Sequence, residues 1–400
     1  MKYIIVLGDG MADEPISSLE NKTPLEYANT PMMDALSKKG EIGMVHTIPE
    51  GMAPGSDTAN LSVMGYNPLV YYSGRSPLEA LSIGVSMKED DIALRCNVVT
   101  ISEEDTEFEK QTIIDHSSGE ISTKDAAVLI EVVKKELARD GYQFYVGTSY
   151  RHCLIWEKGQ VVELTPPHDV LEQVIGQYLP KDEVLRDMMK KSYEILKNHP
   201  INIERKKQGL NPANCLWFWG AGTKPILSDF KEKTGKKGIM ISAVDLLKGI
   251  AVGAGMDNAY VEGANGGLHT NYEGKMRAAV KAVSEDGYDF AYIHVEAPDE
   301  MGHQGSVERK VQAIEYLDER IIAPVVNNLK EKGIDFRILI LPDHPTPIRV
   351  RTHTADNVPY LLYDSTLERN EKWDYNEKDA VNSGKLIEKG YTLIDKLFER

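Results

Sequence analysis

Tyr3-Ile-Ile-Val-Leu7 is an unbroken apolar, β-branched run, the pattern of a strand buried on both faces of a parallel sheet. Gly8-Asp9-Gly10 ends it and sets a carboxylate at the C-terminal end of the strand, where α/β folds gather their ligands. The same pattern returns at 237–242, 288–295 and 336–341, with helical periodicity at 244–253 and 306–332 between these runs. A strand at 43–48, a helix opening at Pro31 and closing at Gly40, and a helix at 74–81 with Pro77 in its first turn complete the early part. This alternation predicts a doubly wound α/β core.

From Ile92 the texture changes. A strand at 92–101 leads into an acidic loop at 103–109 and an amphipathic helix at 124–137. Residues 143–146 and 152–156 read as an antiparallel pair, Lys158-Gly159 as hairpin punctuation, and 170–179 and 183–198 as helices. The block lacks strand–glycine–helix alternation. It therefore predicts an inserted, smaller α+β cap at 92–211 within a core built from 1–91 and 212–400.

Composition narrows the partners. Apolar residues make up 42% and charged residues 27% of the chain, ordinary for a globular protein. A net charge of −16 argues against nucleic acid and anionic membranes, and requires that an anionic substrate find a local basic pocket or bound cations. Cys96, Cys153 and Cys215 are widely spaced, suiting a reducing compartment and forming no CxxC site. The first apolar run is too short for a signal peptide and no stretch reaches membrane-spanning length, so a cytosolic location is expected.

The chemistry centres on Gly51-Met-Ala-Pro-Gly-Ser-Asp-Thr-Ala-Asn60. Pro54 and Gly55 turn the chain sharply, and a helix begins at the serine, so the Ser56 hydroxyl lies where unpaired N–H groups favour an anion. The plainer alternative is that Ser56 or Asp57 only caps the helix. Against it stand Asp299 and His303 just after one predicted strand, Asp343 and His344 just after the next, and His353 beyond. With Asp9 they form a mixed oxygen and nitrogen ligand set at one end of the sheet, suited to Mn²⁺ or Zn²⁺ and, with Ser56, large enough for two ions. Such a set serves phosphoryl transfer, because cations favour the serine alkoxide and neutralise the transferring group. No Walker-type loop is present.

These motifs resemble the cofactor-independent phosphoglycerate mutases, in their shorter archaeal-type branch of the alkaline phosphatase superfamily. The resemblance rests on Gly8-Asp-Gly-Met-Ala-Asp13, Ala53-Pro-Gly-Ser-Asp-Thr-Ala-Asn60, Tyr72-Ser-Gly-Arg-Ser-Pro-Leu-Glu-Ala80, Ala93-Leu-Arg-Cys-Asn97, Val295-Glu-Ala-Pro-Asp-Glu-Met-Gly-His303 and Pro342-Asp-His-Pro-Thr-Pro347. It implies interconversion of 3- and 2-phosphoglycerate in glycolysis through phosphorylated Ser56, without 2,3-bisphosphoglycerate. Two divalent ions are implied, Mn²⁺ first, with Zn²⁺, Co²⁺ or Mg²⁺ as alternatives. One would take Asp9, Ser56, Asp343 and His344; the other Asp299, His303 and His353. Lys248 falls at the position of a phosphate-binding lysine, with a solvated helix residue as the alternative. Arg75, Arg95, Arg151 and His152 are candidates for gripping the substrate's carboxylate or phosphate.

Trp219 stands where the branch carries an arginine, His116 and Glu120 replace arginines of a second motif, and Asn265 and His269 replace Thr and Asp. These changes keep a second reading open: the same machinery on another substrate, as in the proposed homoserine kinase subgroup or a phosphatase. A non-catalytic metal-binding protein is the third reading. The oligomeric state stays open.

Overall fold

Every residue of the strand Lys2–Gly8 after Lys2 is buried, because neighbouring strands flank it and side chains cover both faces. The computed structural model describes residues 1–367 and 369–399. This strand lies near the middle of an eight-stranded sheet ordered Leu386–Ile387, Glu41–Val45, Val358–Asp364, Phe336–Leu341, Lys2–Gly8, Phe290–Val295, Gly238–Ile241, Asp257–Asn258. The central pairings are parallel, with Gly8 opposite Val295 and Leu7 opposite Leu341. Both neighbouring strands therefore end at the same edge as Lys2–Gly8, and the loops carrying Asp9 and Asp343 emerge there together with the helix Ala297–His303 that carries Asp299. Val358–Asp364 runs antiparallel and was not foreseen from the sequence.

The chain divides into two compact units, 1–72 with 226–400, and 73–225. The expected boundaries at 91/92 and 211/212 differ from these. The helix Arg75–Ser82, assigned by sequence to the core, packs on the strands Ile92–Ile101 and Cys215–Thr223 of the second unit. Its Ser76 hydroxyl bonds to the Gly220 carbonyl and accepts the Arg95 N–H at 3.1 Å. Cys215–Thr223 pairs along nearly the whole of Ile92–Ile101, so it too belongs with that unit.

The second unit is an antiparallel sheet backed by the helices Thr123–Glu136 and Glu183–Leu196, with its own apolar core. Of the helix expected at 170–179 only a short 3-10 turn, Ile175–Tyr178, is formed. Glu172 N–H bonds to Ile113 O at 2.8 Å and Ile113 N–H to Gln173 O at 3.1 Å, which uses that backbone as a strand partner. The turn at Lys158-Gly159 has no following strand; the hairpin turn lies at Ser149-Tyr150 instead. In the first unit the long helix expected at 306–332 is interrupted by a π turn, Asp318–Ile322, before Pro324, a residue with no N–H to give the regular ladder. Among the described residues no helix is long and apolar enough to cross a membrane.

Candidate metal centre

Asp9, Asp299, Asp343 and His344 are buried at the ends of three adjacent parallel strands. Their ligand atoms fall into two groups, Asp9 with Asp343 and His344, and Asp299 with His344 and His353, the atoms of each lying within 4.8 Å of one another. His303 joins the second group: its Nε2 is 3.2 Å from Asp299 Oδ2 and 3.1 Å from His353 Nε2. Six of the seven expected ligands are thus brought together, and His344 stands in both groups rather than one. Ser56 Oγ lies 3.1 Å from His344 Nε2.

Local structure explains how each group is held. Ser56 is the first residue of the helix Ser56–Val63, after extended Gly55. One turn on, Asn60 Nδ2 reaches Ser56 O at 2.8 Å and Asp343 Oδ2 at 2.9 Å, while its Oδ1 accepts Tyr292 OH at 2.6 Å. Asp343 Oδ1 receives the backbone N–H groups of Gly10 and His344 at 3.1 and 2.9 Å. Gly10 has φ +61°, and a Cβ there would sit 2.6 Å from Asp299 Oδ1, so glycine is required by both conformation and space. Asp299 Oδ1 also accepts the Thr346 hydroxyl at 2.5 Å.

The donor chemistry fits cations. His303 Nδ1 faces the Arg351 carbonyl at 2.9 Å and His344 Nδ1 the Pro345 carbonyl at 3.3 Å. A carbonyl only accepts, so Nδ1 carries the proton and each Nε2 can turn a lone pair into the cluster. Asp9 Oδ1 is buried with no hydrogen-bond partner. Burial, then the charges of Asp343 and Asp299, push the Asp9 carboxyl well above the usual range. Asp299 moves the opposite way: against burial, the His303 and His353 hydrogen bonds hold it well below that range. The Asp299 hydrogen bond in turn lifts His303 to about 9, and burial depresses His344. An orphaned buried oxygen amid crowded carboxylates is the signature of a site completed by positive charge.

Sequence reasoning missed His294, Asn60 and Tyr292. His294 Nε2 lies 2.8 Å from Asp9 Oδ2, deep in the sheet. Burial lowers this imidazole to about 3. The signals were an imidazole inside an apolar strand run, and Asn60 four residues after Ser56 on the same helix face. Lys248 pairs with Asp245 at 3.3 Å and is partly exposed. It lies close enough to add to the burial that brings Lys275 to about 8 against Glu296.

The candidate substrate residues lie in the second unit. Arg75 and Arg95 both bind Glu79, at 2.9 and 2.8 Å, and Arg95 lies over the Trp219 ring at 4.3 Å. Arg151 stands opposite Asn97 and is close enough to add its charge to the field at Glu79 and Arg95. His152 is not on this arginine face: it pairs with Cys96, one position out of phase with Arg95, and its buried Nδ1 accepts the Gly147 N–H at 3.0 Å. Trp219 Nε1 donates to Asn97 Oδ1 at 3.1 Å, and its ring meets His168, which in turn faces His116. Glu120 adopts a left-handed turn. Asn265 and His269 sit in a loop of the first unit, not in the cap, where Asn265 Oδ1 accepts the Gly267 N–H at 2.9 Å.

Comparison with solved structures places the fold in a known class. The chain superposes on a cofactor-independent phosphoglycerate mutase from Thermoplasma acidophilum with a TM-score of 0.65 at 26% identity, covering 99% of both chains. A Pyrococcus horikoshii protein gives 0.83 at 30% identity, covering 99% of this chain and 96% of that one. Residues 37–202 match the family model of 2,3-bisphosphoglycerate-independent phosphoglycerate mutase. A protein of that name from Methanosarcina barkeri is 46% identical over 96% of each chain, and one from Geobacter sulfurreducens, named as probable, 45% over the whole of both. The chain belongs to the 2,3-bisphosphoglycerate-independent phosphoglycerate mutase family.

Proposed function

We propose that this chain interconverts 3-phosphoglycerate and 2-phosphoglycerate through a phosphorylated Ser56. The observation that carries the reading is Ser56 Oγ at the rim of the buried carboxylate and imidazole cluster, 3.1 Å from His344 Nε2, on the first turn of a helix. Ser56 Oγ bonds to phosphorus as the substrate's C3–O–P link breaks; the phosphoryl group then passes to the C2 hydroxyl and frees the serine. The helix N-terminus contributes N–H groups and a positive dipole end where the phosphoryl oxygens gather. Asp9, Asp343 and His344 would hold one divalent ion, and Asp299, His303 and His353, with His344 within reach, the other. Such ions lower the cost of the serine alkoxide and offset the phosphoryl charge. Mixed carboxylate and imidazole donors suit Mn²⁺ or Zn²⁺, and the family resemblance puts Mn²⁺ first.

Arg75, Arg95 and Arg151 give the second unit an anion-binding face suited to a carboxylate or phosphate, and Lys248 is proposed as a further phosphate contact. Relatives named as mutases at about 45% identity over nearly the whole chain support phosphoglycerate as substrate despite Trp219 and His116. The test is Ser56→Ala: turnover is expected to fall by roughly three orders of magnitude or more, with metal content near that of the parent. Parent-level turnover in that variant would remove the phosphoserine route.

A further inference from the structure

Beside the cluster, His294 is fixed from three directions. Its strand Phe290–Val295 lies between Lys2–Gly8 and Gly238–Ile241, with Leu7 opposite His294 and Ile241 opposite Ile293. Nε2 meets Asp9 Oδ2 at 2.8 Å, and Nδ1 meets Ser242 Oγ at 3.1 Å. The carbonyl of His294 accepts the ammonium of buried Lys275 at 2.8 Å. Ser242 Oγ also accepts the Val244 N–H at 3.0 Å, which leaves its own proton free to donate. With Asp9 ionised, as a bound cation would hold it, Oδ2 only accepts, and the network then admits one neutral tautomer: Ser242 O–H donates to Nδ1, and Nε2–H donates to Asp9 Oδ2.

Resting on the reading that the cluster holds divalent cations, we infer that His294 is a positioning residue. Its Nε2–H locks the Asp9 carboxylate in one rotamer, with Oδ1, the buried oxygen lacking a hydrogen-bond partner, 3.6 Å from His344 Nε2 as the metal-binding atom. Ser242 sets the tautomer, and Lys275 sets the backbone from which the ring projects. None of the three needs to touch an ion. Outer partners of this kind fix ligand orientation, and their loss weakens metal binding by about 10–100-fold.

The test compares the full-length parent with His294→Leu, His294→Gln and Ser242→Ala. Mn²⁺ affinity is read by chelator competition and the His294 tautomer by ¹⁵N NMR of the protein loaded with diamagnetic Zn²⁺. In His294→Leu one of the two Mn²⁺ affinities is expected to fall about 10–100-fold while the other stays within about twofold, and His294→Gln, which still offers an N–H, is expected to recover most of the loss. The NMR spectrum is expected to show the proton on Nε2. Unchanged affinity for both ions in a folded His294→Leu, even with a lowered Tm, would overturn the inference, as would a proton on Nδ1 in the parent. Should His294→Leu fail to fold, Ser242→Ala and the parent spectrum decide the question. A parent chain that binds no Mn²⁺ would instead defeat the metal reading itself.

Discussion

Asn60 ties the nucleophile to a ligand: one carboxamide nitrogen holds both the Ser56 carbonyl and Asp343 Oδ2, and its oxygen takes the Tyr292 hydroxyl. Asn60→Ala takes a hydrogen bond from each of the buried Asp343 and Tyr292 side chains, worth about 1–3 kcal/mol apiece. Turnover is expected to drop about 10–100-fold with the fold retained; steady-state kinetics beside circular dichroism checks this, and unchanged kcat would refute it. At His303 the expectation concerns protons. Its imidazole is lifted to about 9 by Asp299, so a cation must displace the Nε2 proton below that pH. Metal affinity should therefore rise with pH toward about 9 and fall by up to about tenfold per unit below it, as chelator competition across that range would show. Asp9, Ser56, Asp299, His303, Asp343, His344 and His353 were legible because each follows a recognisable strand or breaker in the chain. His294 and Tyr292 were not, because a polar residue inside an apolar run declares its partner only once the neighbouring strand is placed.

At the scale of elements, parallel register does most of the positioning. Strands that end level deliver their loops to one edge, and Gly10 lets two of those loops approach. The sequence pattern foretold these strands, since residues buried on both faces must be apolar throughout. It misread the first half of 170–179, where Glu172 and Gln173 bond to Ile113 and only a 3-10 turn, Ile175–Tyr178, follows. Behind the site, the helix Glu377–Asn382 holds Glu377 half-buried, where it accepts the Thr23 hydroxyl at 2.5 Å and the Asp13 N–H at 3.1 Å. Burial raises this carboxyl to about 7. Raised above its unfolded value of 4.5, the group favours the native state while protonated, so its stabilising contribution is present below 4.5 and lost as pH rises through about 7. Glu377→Gln should therefore match the parent near pH 4.5 and exceed its stability by up to about 3 kcal/mol above pH 7. Urea unfolding at the two pH values measures this, and equal stabilities at both would contradict it.

For the whole molecule, the candidate residues divide between the two units. The first unit carries every candidate metal ligand and the serine; the second carries the arginine face. An inserted α+β unit was readable from the loss of strand–glycine–helix alternation at Ile92. Its true borders were not, because Arg75–Ser82 and Cys215–Thr223 have local patterns that fit either unit and are assigned only by what they pack against. Arg95 is held by Glu79 and stacked on Trp219, so Arg95→Met is expected to raise KM for an anionic substrate about tenfold or more while leaving metal affinity unchanged. The most direct measurement follows phosphorus by ³¹P NMR in purified protein with Mn²⁺ and 3-phosphoglycerate, without 2,3-bisphosphoglycerate, beside a tube holding homoserine and ATP. The account predicts 2-phosphoglycerate in the first tube, abolished by EDTA, and nothing new in the second. A silent first tube with phosphohomoserine in the second would contradict it.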